Sequence, residues 1–129
     1  MEESNPIRTV LIADNSRTAR ILIETALRSV LGRIFVLQAG GGLEAFETAQ
    51  ASPPDLLITP VRLSRMNGIT LVKKVISTRK PGPPLRVILL TPFNRYSIRQ
   101  QLGSAAKLGF ADKPVLPEEL KKALEEIRR

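Results

Sequence analysis

The sequence predicts an α/β fold, because apolar strand patterns and amphipathic helix patterns alternate along the whole chain, as they do where parallel strands are joined by right-handed crossovers. The candidate strands are short continuous apolar runs, the mark of strands buried on both faces. Turn or cap residues follow them at Asp14-Asn15-Ser16, Asn67-Gly68 and Lys113-Pro114. The length of 129 residues suits one domain spanning 1–129, with a single core.

In chain order, Thr9 to Ala13 (TVLIA) forms the first strand. Ser16 caps a helix from Arg17 to Leu31, in which Ala19, Ile23, Ala26 and Val30 recur at helical spacing, and Gly32 ends it. Ile34 to Gln38 reads as the second strand, Gly40-Gly41-Gly42 as a turn and Leu43 to Ala49 as a short helix. Ser52-Pro53-Pro54 breaks that helix. Leu56 to Ile58, running into Thr59 and Pro60, is the third strand. Ile69 to Ser77 sets Leu71, Val72, Val75 and Ile76 on one side of a helix, and the prolines of Lys80 to Pro84 form a loop. Arg86 to Thr91 is the fourth strand. A fourth helix is expected from Tyr96 to Lys107, weakened by Gly103, and a very short fifth strand from Phe110 to Asp112. Pro117-Glu118-Glu119 opens the last helix, with proline and acids where the helix dipole favours them.

Composition excludes several chemistries. There is no cysteine and no histidine, so disulfides, thiol catalysis, thiolate metal sites and the commonest general base are absent. No apolar stretch approaches the roughly 18 residues of a membrane span. The amino end, MEESNPIR, carries no apolar segment of the signal-peptide kind. A cytoplasmic location fits these features. The formal net charge of +8, from 20 Lys and Arg against 12 Asp and Glu, attracts polyanions over a Debye length of roughly 8 Å. The basic residues are scattered, and four Phe with one Tyr give few platforms for base stacking, so a nucleic-acid role is not favoured. The three consecutive glycines lack the Lys-Ser/Thr and the spacing of a phosphate-binding loop.

In parallel sheets the chemistry lies just past the carboxyl ends of the strands, which directs attention to Pro60. That residue has no ionisable group, no hydroxyl and no backbone donor. It can neither attack a phosphorus atom nor hold a metal.

The chain resembles the receiver domains of two-component response regulators from Ile7 to about Ile127. The resemblance rests on Leu11-Ile12-Ala13-Asp14-Asn15-Ser16-Arg17, Gly42 with Glu44-Ala45, Pro54-Asp55-Leu56, Met66-Asn67-Gly68, Leu90-Thr91, and Phe110 followed by Lys113-Pro114. It implies a flavodoxin-like fold, with a five-stranded parallel sheet in the order 2-1-3-4-5 flanked by five helices. Receivers of this family take a phosphoryl group from a histidine kinase onto an aspartate ending the third strand, with Mg²⁺ held by that aspartate and an acidic pair after the first strand. Here Pro60 stands at the acceptor position and the acidic pair is Asp14-Asn15. Pro92 follows the switch position and lacks the N–H that would help hold phosphoryl oxygens. Thr91 matches the switch hydroxyl, Lys113 the phosphate-binding lysine and Phe110 the aromatic switch.

The resemblance therefore implies a pseudo-receiver, with no catalytic residue, Mg²⁺ bound weakly or not at all, and no other cofactor. Thr59 is a poor substitute acceptor, since alternation points it away from Pro60. Lys113 could bind an anion or pair with Asp14, and pairing is preferred. Thr91 and Phe110 are expected to be fixed rather than switching. Arg95, Arg99 and Lys107 on the fourth helix, with Glu118 and Lys122 on the last, form a candidate interaction surface. Expected partners are a histidine kinase or an output domain, or a second copy in a homodimer. The ending at Arg128-Arg129 suggests a piece of a longer regulator or kinase. Two alternatives remain: a residual phosphoacceptor using another site, and a basic module binding anions or nucleic acid.

Overall fold

A computed structural model of the chain describes residues 6–128. The extreme amino end and Arg129, on which two of the expectations above partly rest, lie outside that range. Five strands, β1 (Thr9–Ala13), β2 (Phe35–Ala39), β3 (Leu56–Pro60), β4 (Leu85–Leu90) and β5 (Ala106–Ala111), alternate with α1 (Arg17–Leu31), α2 (Gly42–Ala51), α3 (Gly68–Thr78), α4 (Arg95–Leu102) and α5 (Pro117–Arg128). The sheet is parallel throughout, in the order β2-β1-β3-β4-β5.

Side-chain alternation divides the core into two layers. Leu11, Leu57, Val87, Leu89, Leu108 and Phe110 point to the layer shared with α2, α3 and α4. Val10, Ile12, Leu56, Ile58, Ile88 and Leu90 point to the layer shared with α1 and α5. Burial of both faces explains why the strands read as continuous apolar runs.

Local caps set the helix boundaries. The Ser16 hydroxyl accepts a hydrogen bond from the Ala19 N–H at 3.1 Å, and Asn67 Oδ1 accepts one from the Thr70 N–H at 2.9 Å, each satisfying an orphan donor of the first turn. Asp55 acts at the other end of the sheet. Its Oδ2 accepts from the backbone N–H groups of Arg8 at 2.9 Å and Thr9 at 2.8 Å, fastening the start of β1 to β3.

Two expected elements are corrected. The fourth helix ends at Leu102, not at Lys107, because Gly103 takes a positive φ of 55° and its N–H returns to the Arg99 carbonyl. After a single 3₁₀ turn, Gly103–Ala105, the chain enters β5 at Ala106, so the fifth strand has six residues instead of three. Lys107 thus belongs to the edge strand β5 and not to the fourth helix. Elsewhere the shifts are small: β2 begins at Phe35, and α2 extends from Gly42 to Ala51.

Candidate functional site at the carboxyl edge of the sheet

Pro60 is the last residue of β3. Its missing N–H is tolerated there because the β1 ladder has already stopped at Ile12 opposite Ile58, while pairing with β4 continues to Pro60 opposite Leu90. Gly68 opens α3 directly against this strand end: a Cβ on Gly68 would lie 2.0 Å from the Pro60 carbonyl oxygen. Thr59 is fully buried, and its hydroxyl donates to the Pro60 carbonyl at 2.8 Å.

Asp14 follows β1 and is 3% exposed. Its Oδ1 accepts from the Ser16 N–H at 2.9 Å. Its Oδ2 forms an ion pair with the Lys113 ammonium without hydrogen-bond alignment. Lys113, from the loop after β5, keeps 43% of its side chain exposed; the peptide bond between it and Pro114 is cis.

Asn15 joins three loops. Its Nδ2 donates to the Gly40 carbonyl at 2.6 Å and to the Ser64 hydroxyl at 2.7 Å, while its Oδ1 accepts from the Ser64 N–H at 3.1 Å. A cation placed at this edge would therefore meet one carboxylate already facing an ammonium group and one amide oxygen already facing an N–H. Among the described residues, no three Asp, Glu, His or Cys side chains are grouped as a metal site.

Thr91 lies immediately past β4, buried to 8%. Its Oγ1 accepts from the Phe93 N–H at 3.1 Å and its hydroxyl lies 3.3 Å from the Phe93 carbonyl, so both roles are taken by one local turn. Phe110 is turned inward with 6% exposure. The guanidinium groups of Arg95 and Arg99 sit over its ring, 5.2 and 4.9 Å from the centroid. Arg95 further donates to the Thr91 carbonyl at 2.9 Å and pairs with Asp112 at 3.0 Å; Arg99 pairs with Glu126 at 2.8 Å.

Pro60, Thr91, Pro92 and Lys113 line one open cleft of about 590 Å³, and Asp14 meets it through its ion pair with Lys113, whereas Asn15 is bonded to Gly40 and Ser64, outside that lining. Of the candidate interaction surface, Glu118 and Lys122 are exposed on α5. Arg95 and Arg99 are occupied with Phe110 and with carboxylates, and Lys107 is half-buried on β5.

Apart from the Glu24–Arg28 pair, which has i,i+4 helical spacing, several contributors have no signal in the sequence spacing. Arg20 donates to the Asp14 carbonyl at 2.7 Å and to Gln38 Oε1 at 3.0 Å; Gln38 in turn donates to Glu24 at 2.8 Å, and Arg28 pairs with Glu24 at 3.0 Å. The Gln38 hydrogen bond, outweighing partial burial and aided by Arg28, holds the Glu24 carboxyl below its ordinary range.

Comparisons with known proteins place this architecture. The transcriptional regulatory protein PdtaR of Mycobacterium tuberculosis is 30% identical over 118 residues, covering 92% of this chain and 55% of PdtaR, so the chain spans about half the length of that relative. Chemotaxis protein CheY1 of Helicobacter pylori is 34% identical over 122 residues, covering 92% of this chain and 94% of CheY1. The structure of chemotaxis protein CheY4 of Vibrio cholerae superposes with a TM-score of 0.73 at 28% identity, covering 94% of this chain and 98% of that one. Residues 10–125 match the response regulator receiver domain, and the chain belongs to that family.

Proposed function

We propose that this receiver domain signals without phosphorylation, as a pseudo-receiver that acts by docking to a protein partner. Receiver domains interact with histidine kinases and output domains in two-component systems. The single observation that carries the proposal is that β3 ends in Pro60, which the resemblance to receivers matches with the acceptor aspartate.

The surrounding groups support it. Transfer onto a receiver relies on placing charge-neutralising groups around the moving oxygens. Mg²⁺ demands near-octahedral oxygen ligands and dehydrates reluctantly. With Asp14 engaged by Ser16 and Lys113, Asn15 engaged by Ser64, and no carboxylate at Pro60, the residues at this edge do not fit it. Pro92 gives no N–H to a phosphoryl oxygen. Thr59 is no substitute acceptor, being wholly inaccessible and already hydrogen-bonded.

The test is phosphate-affinity electrophoresis after incubation with acetyl phosphate and Mg²⁺, where a single unshifted band is expected. A shifted band would overturn the proposal, and its persistence or loss in Thr59→Ala would say whether Thr59 is the acceptor. Pro60→Asp alone is expected to stay unmodified, because Asn15 and Pro92 remain; the triple change Pro60→Asp, Asn15→Asp, Pro92→Ala has the better prospect. A fully competent single variant would mean that the pocket is otherwise intact.

A further inference from the structure

We infer that the cleft over Pro60, between α3 and α4, docks an acidic protein segment that carries an apolar anchor. The inference rests on the reading that the domain works by docking, and it names the place and the chemistry of the partner. The cleft, about 590 Å³, is lined by thirteen residues including Arg62 and Lys113, and none of the thirteen is acidic. Pro60 and Pro92 are both in that lining. Each puts an apolar ring where a receiver would present a carboxylate or an N–H to phosphate, so two changes act on the same surface in the same direction.

Phe93, at the start of the loop into α4, is 72% exposed although it lines this cleft. A rigid aromatic side chain beside an apolar hollow is the kind of group that anchors binding. Arg62 is exposed and makes no ion pair or hydrogen bond among the described residues, so its charge is available in full. Lys113 shares its charge with Asp14 but keeps 43% of its side chain in solvent. The cleft is open rather than enclosed, which suits a polypeptide segment more than a buried small molecule.

Charge selects among occupants. The chain carries +8, so a second copy would bring like charges together at a cleft whose lining holds no acid, whereas an acidic segment is steered toward it. A free phosphate ion would use the cations but leave Phe93, Pro60 and Pro92 uncovered.

The test titrates the whole domain with a fluorescein-labelled amphipathic peptide of Glu and Leu at helical spacing, read by fluorescence anisotropy. Saturable one-to-one binding is expected. Arg62→Glu and Phe93→Ala should each weaken it about tenfold, in the range of a central contact. Lys80→Glu, an equal charge change on the loop after α3 at the opposite edge of the sheet, should leave it within about twofold. The inference is overturned if binding is absent or if Lys80→Glu weakens it as much as Arg62→Glu. It is equally overturned if a peptide with Ser in place of Leu binds as well, which would mean an anion site only. Dimers in sedimentation that Phe93→Ala dissolves would assign the cleft to a second copy and overturn it too. Phosphate-affinity electrophoresis on the same samples separates the two levels. A modified band overturns the phosphorylation-independent reading whatever the isotherm, while a flat isotherm with an unmodified band overturns the cleft alone.

Discussion

At Asn15, exchanging one amide nitrogen for a carboxylate oxygen removes the donor that the Gly40 carbonyl and the Ser64 hydroxyl share, at 2.6 and 2.7 Å. Asn15→Asp is therefore expected to lower stability by about 1 kcal/mol, since these hydrogen bonds are partly exposed. Urea unfolding measures it, and an unchanged midpoint would show that the three-loop bridge contributes little. The same substitution is one arm of the triple change above, so restoring the acidic pair works against the fold. Glu24 makes a pH prediction. Its folded carboxyl titrates below the unfolded one, so the stabilisation is present above the ordinary glutamate range and is lost as pH falls through the lowered value. Unfolding midpoints compared between about pH 6 and pH 3 should fall less steeply in Glu24→Gln than in the parent. The pairing of Asp14 with Lys113 was a stated preference from the sequence, since a partly buried cation seeks a partner. The roles of Asn15 and Arg20 were not legible there. Amide and guanidinium contacts join positions up to 49 residues apart, a separation no local pattern encodes.

Among the elements, α1 was readable to its ends because Ser16 and Gly32 carry the cap chemistry themselves. The junction of α4 and β5 was not. The segment from Ser104 to Leu108, with its alanines, lysine and leucine, favours a helix by propensity. Tertiary pairing overrides this, as Leu85 aligns with Ala106 and Leu90 with Ala111 along the full length of β4. Gly103 was the available signal, at the end of a helix rather than within one. Gly109 shows how tightly β5 meets its covering helix: a Cβ there would lie 2.6 Å from the Ala123 carbonyl oxygen. Gly109→Ala should destabilise by about 1–3 kcal/mol, the range for overpacking. Thermal melting measures it, and a loss under about 0.5 kcal/mol would mean that α5 moves away freely.

For the whole molecule, the two core layers share one five-stranded sheet, so neither can lose its packing while the other keeps a wall. Unfolding should be two-state, with calorimetric and van't Hoff enthalpies equal, as for other single domains under about 150 residues; two resolved transitions would show the layers to be independent. The α/β class, the boundaries of most elements, the core face of α3 and part of that of α1 were determined by the sequence alone, because apolar periodicity and cap residues are local properties of the chain. That Pro60 itself has no group able to accept a phosphoryl is likewise written in the residue. Tertiary structure alone decided the rest. It tied Asn15 to Gly40 and Ser64, seated Arg95 and Arg99 over Phe110, and placed Pro60, Pro92, Phe93 and Arg62 around one cleft. Those contacts join the ends of different strands, and only the closed sheet brings strand ends together in space.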